Sequence, residues 1–254
     1  MPSGTASGIR ATSFVAFVLL CALTLSACGG SGVLRKEYEY EEELYLALDG
    51  SATLNVNASV PALVALHGVD LDVSPRARID RDRVRALFAG PGVEVSRVSL
   101  ARRDGRRMVH VSLRVQDVRQ LSRVPLFAWS TYRFERRDDV FDYRQVVGAP
   151  AEKAVTGVGW TGSELVAFRM HIPSEIPFHN SPSRTVQRGN ILAWEQPLSE
   201  RLKGTAVDIE VQMATASILY STLLLFGGTV LAALVTFALV IWWVARRGRD
   251  TDAA

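Results

Sequence analysis

Cysteine is almost absent. The chain of 254 residues holds only Cys21 and Cys28, so everything after position 28 lacks a thiol that could form a disulfide, ligate zinc or attack a substrate. The fold of that long remainder must therefore rest on an ordinary hydrophobic core. Catalytic and nucleotide-binding signatures are missing as well. There is no Walker loop, no GxGxxG and no HExxH, and the four histidines, His67, His110, His171 and His179, include no close pair. The segment Gly159-Trp160-Thr161-Gly162-Ser163-Glu164 has the glycines of a nucleophile elbow but not its flanking pattern, and reads as a turn before a strand starting at Leu165. The adjacent acids Asp138-Asp139 read as a solvated hairpin tip rather than as a glycosidase pair, which needs two carboxylates about 5–9.5 Å apart.

Charge is missing from two stretches, and both point to a membrane. Phe14–Leu25 is an apolar run of 12 residues behind Arg10 and before the small residues Ser26-Ala27. At about 1.5 Å per residue it reaches roughly 18 Å, short of the ~30 Å hydrocarbon core, so it reads as a removable export signal over 1–27. The four residues Leu25-Ser26-Ala27-Cys28 resemble the lipobox of bacterial lipoproteins. That resemblance implies cleavage before Cys28, a diacylglycerol on its thiol and acylation of the new N-terminus. Gly29-Gly30-Ser31 then supplies a flexible tether.

The second uncharged stretch, Leu223–Val244, also lacks proline. Its 22 residues make a helix of about 33 Å, enough to span. Tyr220 at one end and Trp242-Trp243 at the other suit the headgroup layers, and Arg246, Arg247 and Arg249 mark the cytoplasmic side. This reading places an exported domain at 28–217, a transmembrane helix at 218–245 and a cytoplasmic tail at 246–254. Gly228 and Ala232 make a small-xxx-small step on the span.

Within 28–217, apolar residues alternate at strand period. Tyr38, Tyr40, Leu44, Leu46 and Leu48 recur at every second position, Asp49-Gly50 follows, and Leu54 and Val56 return. An Asp-Gly pair between alternating runs is a hairpin signal, here over 36–59. Pro61–His67 reads as a short helix stopped by Gly68, and a second helix runs from Asp80 or Asp82 through Phe88 to Gly90-Pro91-Gly92. A second hairpin spans Val93–Leu100 and Met108–Val115 about Asp104-Gly105, with a short helix capped by Asp117 after it. A third pairs Trp129–Phe134 with Val140–Val147, and strands follow at Leu165–Ile172, Ile191–Pro197 and Val207–Met213. Pro173–Asn190 is a long polar loop, of the kind that is functional or disordered. The fold class is α+β: antiparallel β-hairpins with short inserted helices, followed by one transmembrane helix.

The formal net charge of +3 rests largely on Arg10 and the three tail arginines. The domain itself is near neutral but unevenly charged. Glu37, Glu39, Glu41, Glu42 and Glu43 open it, while arginines crowd its middle from Arg76 to Arg107. Arg102, Arg103, Arg106 and Arg107 form a candidate patch for an anionic ligand such as a lipid headgroup. No nucleic-acid-reading motif is present.

This order of parts is similar to that of bacterial lipoproteins with an LppM-type domain. The likeness is carried by Cys28, the strand leading to Asp49-Gly50-Ser51, the β-rich exported domain, Ile191-Leu192-Ala193-Trp194 followed by Gly204 and Val207–Val211, and the single C-terminal span. The resemblance implies an envelope protein without an assigned catalytic activity. The expectation is a non-catalytic, membrane-anchored lipoprotein with no cofactor and no metal, whose partners are membrane lipids or an envelope protein; the sequence does not give its oligomeric state. Two other readings stand beside it: an envelope hydrolase using His171, His179 and nearby acids, and an accessory subunit of a membrane transport or secretion complex docking through Gly228 and Ala232; a metal held by His171 and His179 with Glu164 or Glu175 lacks the close histidine pair such sites use.

Overall fold

A computed structural model describes residues 36–151 and 153–251. The export signal, Cys28 and the glycine tether lie outside the described residues.

Strand β1 (Tyr38–Leu46) turns through Asp49-Gly50 into β2 (Ala52–Ser59), with Leu44 opposite Leu54. Gly50 sits at φ +85°, a backbone setting that side chains resist, and Asp49 accepts from the Ser51 amide at 2.9 Å. Helix α1 (Val60–His67) follows at once. Ser59 caps it through the Ala62 amide at 3.1 Å, and Gly68 ends it in the left-handed conformation. Residues Val60–Leu66 are all buried, so this helix lies inside the domain. Helix α2 (Arg81–Phe88) is amphipathic: Asp80 caps it, Val84 and Phe88 are buried, and its arginines face outward.

Strands β3 (Val93–Arg103) and β4 (Arg106–Val115) form the second hairpin, and Asp117 caps a 3-10 turn at Val118–Arg123. The third hairpin is β5 (Ser130–Arg137) with β6 (Val140–Val147). Then come β7 (Leu165–His171), the two-residue β8 (Phe178–His179), β9 (Ile191–Pro197), a short helix α3 (Leu198–Leu202), β10 (Val207–Ala214) and the long helix α4 (Ile218–Thr251).

These strands make a six-stranded sheet of order β3-β4-β2-β1-β7-β9 and a four-stranded sheet of order β5-β6-β10-β8. Their inner faces share one core that includes Tyr40, Leu44, Leu54 and Phe168 from the first and Tyr143, Ile209 and Val211 from the second. Among the described residues all strand pairings are antiparallel except one. Inside the larger sheet, one strand in from the β9 edge, β7 runs parallel to β1, with Glu41 opposite Ala167 and Tyr45 opposite His171. Parallel partners cannot be joined by a tight turn, and the whole of α1 through β6 lies between these two.

The 173–190 segment contains β8, which pairs with β10 across Phe178–Gln212 and His179–Val211. Asn180 fixes it further, donating to the Asp208 carbonyl at 2.9 Å while its own carbonyl oxygen accepts from the Trp194 indole at 3.0 Å. It thereby bridges β9 at the edge of one sheet and β10 of the other.

Candidate functional site

Ala214 ends β10 and Ile218 begins α4, so only three residues join the folded domain to the apolar helix. That junction is tied down. Ser217 makes an antiparallel bridge to Ser174, the Ile218 amide donates to the Pro173 carbonyl at 3.1 Å, and the Thr215 amide donates to Asp139 at 3.3 Å. From Thr222 to Trp243 the helix has a mean hydropathy of 2.5 over 22 residues, with none of that surface buried by the protein. A helix that apolar and uncovered is long enough to cross a bilayer. Tyr220, Arg246, Arg247 and Arg249 fall within α4, which continues past the apolar stretch to Thr251, and Trp242 and Trp243 are exposed toward the end of that stretch.

The four arginines singled out from sequence meet at the β3–β4 tip, where Arg102 faces Arg107 and Arg103 faces Arg106 across the ladder. They are not alike. Arg106 is only 7% exposed; it pairs with Glu37, donates to Glu39 at 3.0 Å and donates to the Gly159 carbonyl at 3.1 Å. Arg103 reaches the Tyr38 carbonyl and lies 3.5 Å from Glu39. Glu39 is fully buried and also accepts from the Trp160 indole at 3.1 Å. The acidic start of the domain thus absorbs two of the four cations, and Arg102 is left exposed with Arg107 half-buried.

This tip stands at the start of β1 and β7, since Tyr38 lies opposite Leu165. Helix α4 departs beside Pro173, two residues past the end of β7. A strand of seven residues separates the two places, about 20 Å.

Between the sheets lies a polar core that periodicity did not announce as such. Glu42 points inward on the phase of Tyr40 and Leu44, is 4% exposed, and accepts from the Tyr40 hydroxyl at 2.6 Å and the Gln145 amide at 3.5 Å. Tyr143 donates to the Gln145 oxygen at 2.9 Å. Burial pushes the Glu42 carboxyl up to about 7, against the opposing pull of the Tyr40 and Gln145 bonds and of the Arg201 charge. Burial also raises the phenols of Tyr40, Tyr132 and Tyr143 well above their ordinary value. Glu42, Tyr132, Tyr143 and Gln145 share a cavity of about 10 Å³ with Leu54, Phe168, Trp194 and Ile209, too small for any ligand larger than a water molecule. Arg201 is fully buried nearby, its guanidinium 4.7 Å from the Trp129 ring centre and bonded to the Gly148 and Thr205 carbonyls. His67 packs on Trp129 at 4.2 Å between ring centres, and burial lowers its pKa to about 3.

The histidines considered for hydrolysis lie in different sheets, each with its own partner. His171 bonds Glu43 at 2.8 Å and stacks on Tyr45 at 3.9 Å, on the larger sheet. His179 lies in the smaller sheet and meets the Ser181 hydroxyl at 3.0 Å. Glu164 is occupied by the amides of Thr161 at 2.5 Å and Gly162 at 2.8 Å. Among the described residues no three His, Cys, Asp or Glu side chains are grouped to hold a metal ion. Gly228 and Ala232 are exposed on α4.

No family model matches the chain, and no curated protein matches its sequence. Among solved structures, the folded domain of the Mycobacterium tuberculosis LppM protein, determined by NMR, resembles it with a TM-score of 0.38 at 12% identity, covering 76% of this chain and 99% of that domain.

Proposed function

We propose that the chain is a non-catalytic envelope lipoprotein, anchored in the cytoplasmic membrane by α4 and by a lipid on Cys28, which presents its two-sheet domain on the extracytoplasmic side for contact with lipid or an envelope protein. One observation carries this reading: the uncovered apolar stretch Thr222–Trp243 follows the folded domain after a short junction pinned by Ser174 and Pro173.

Two anchors placed this way do different jobs. The span alone gives effectively irreversible attachment, so a lipid adds little retention. It adds orientation instead. Nine steps of chain lead from Cys28 to Glu37, reaching about 30 Å when extended. That is enough to cover the roughly 20 Å of strand separating the start of β1 from the exit of α4. The domain is then held along the membrane by both ends of its larger sheet.

Membrane fractionation with alkaline carbonate, protease protection and intact-mass measurement test the reading together. The expected result is a carbonate-resistant chain that is digested from the outside and begins at a diacylated Cys28. Release by carbonate would sink the span, and an unmodified Cys28 would remove the second anchor.

A further inference from the structure

Outside α4, three large hydrophobic side chains are exposed among the described residues: Tyr45 at 39%, Phe178 at 45% and Val186 at 42%. Two of the three share one segment. Phe178 and Val186 both belong to the 173–190 segment, whose first residues bridge Ser217 and accept from Ile218 at the foot of α4. Tyr45 stacks on His171, three residues before Ser174. The segment also closes one flank of the domain, because Trp194 of β9 and the Asp208 and Glu210 positions of β10 all bond Asn180. Exposed Arg184 and Arg188 lie on either side of Val186.

We propose that this flank, made by 173–190 along the β9 and β8 edges, is the surface on which the domain rests in the lipid headgroup layer. Phe178 and Val186 seat at the level of the upper acyl chains, and Arg184 and Arg188 meet phosphate oxygens. The inference rests on the reading of Thr222–Trp243 as membrane-spanning.

Continuity with the span favours lipid over any other occupant. Pro173 is bonded to Ile218, and Ile218 stands four residues, about 6 Å, from Thr222. The headgroup region is several ångströms deep, so Pro173 and Ser174, at the foot of α4, stand within its reach and carry the rest of the segment toward it. Amphipathic placement of an aromatic, an aliphatic and two arginines suits that layer. The β3–β4 tip lies at the other end of the strands: it meets the start of β1, whereas α4 leaves beside the end of β7. Arg102, exposed at that tip, is the comparison position.

The test places a photoreactive p-benzoylphenylalanine, one position at a time, at Phe178, Val186, Arg102 and Val235 of the full chain in its native membrane, and measures adducts by mass after illumination. Phe178 and Val186 are expected to give phospholipid adducts, with Arg102 giving about an order of magnitude less. Protein adducts at 178 and 186, or none, alongside lipid adducts at Val235 would overturn the proposal while leaving the span intact. Absence of lipid adducts at Val235 would instead overturn the span reading, and the proposal with it.

Discussion

Tyr40 donates its hydroxyl to the Glu42 carboxylate at 2.6 Å, two residues along the same strand and inside the domain. Residues at i and i+2 of a strand share a face, so this bond places an acid in the core by the same alternation that places Leu44 there. The acid is costly only when charged. Its pKa in the fold, about 7 against an ordinary 4.5, makes the protonated form the favoured one below about pH 7. The folded state then holds its proton where the unfolded state has lost it. Stability from this group is fully present below about pH 4.5 and falls as pH rises to about 7, by roughly 3 kcal/mol. Glu42→Gln should abolish that loss, so the variant gains on the parent as pH rises through this window. Denaturant titrations of the detergent-solubilised chain at several pH values measure the difference; parallel curves for the two proteins would refute the assignment.

His67 acts with the opposite sign. Its pKa drops from 6.5 to about 3 through burial, so the unfolded chain takes up a proton that the folded one refuses. Stability is present above pH 6.5 and lost as pH falls toward 3, by roughly 4–5 kcal/mol. His67→Phe should flatten this acid limb. Between pH 4.5 and 6.5 the Glu42 and His67 slopes oppose each other, and the parent protein's curve is shallow there because two steep ones are superposed. Unfolding of both single variants across that window exposes each slope separately.

Removing Arg106 should cost about 3–5 kcal/mol, because Glu39 is left buried without its closest cation. Adding Glu39→Gln to Arg106→Met should recover much of that loss. A double-mutant cycle read by chemical denaturation decides it, and additivity of the two changes would mean that the pair does not interact.

Two hairpin glycines separate backbone strain from contact. Gly50 and Gly105 both have positive φ, but a Cβ at Gly50 would stand 3.1 Å from the Phe134 ring while one at Gly105 meets nothing within 4 Å. Alanine at Gly105 should cost about 1 kcal/mol for conformation alone. Alanine at Gly50 should cost more. Equal losses would show that Phe134 yields freely.

Much of this architecture was legible in the residues. Asp49-Gly50 and Asp104-Gly105 announced their hairpins because an Asp-Gly pair provides the positive φ that a tight turn requires. Asp80 and Asp117 cap the turns that follow them, and Gly68 stops the helix that Pro61 opens. What escaped was non-local. Nothing in β1 or β7 says that they pair in parallel, since that pairing is decided by neighbours distant in sequence. β8 is two residues long and shows no period. The acidic start and the basic middle read as separate charged faces, yet Glu37 and Glu39 are the partners of Arg106. Glu42 did leave a trace: it occupies the apolar phase between Tyr40 and Leu44, where a solvated glutamate would be out of step.

The parallel contact between β1 and β7 also sets a timetable. Chains grow from the N-terminus, and the 118 residues from 47 to 164 must appear before Leu165 can meet Tyr38. At about 5–20 residues per second this takes roughly 6–24 s. The hairpins β1–β2 and β3–β4 are complete long before then, leaving the β1 edge as a row of unanswered amides and carbonyls open to any passing strand. That seam, inside the finished sheet, cannot close until the chain has reached β7, and until then the β1 edge is the one most open to a wrong partner.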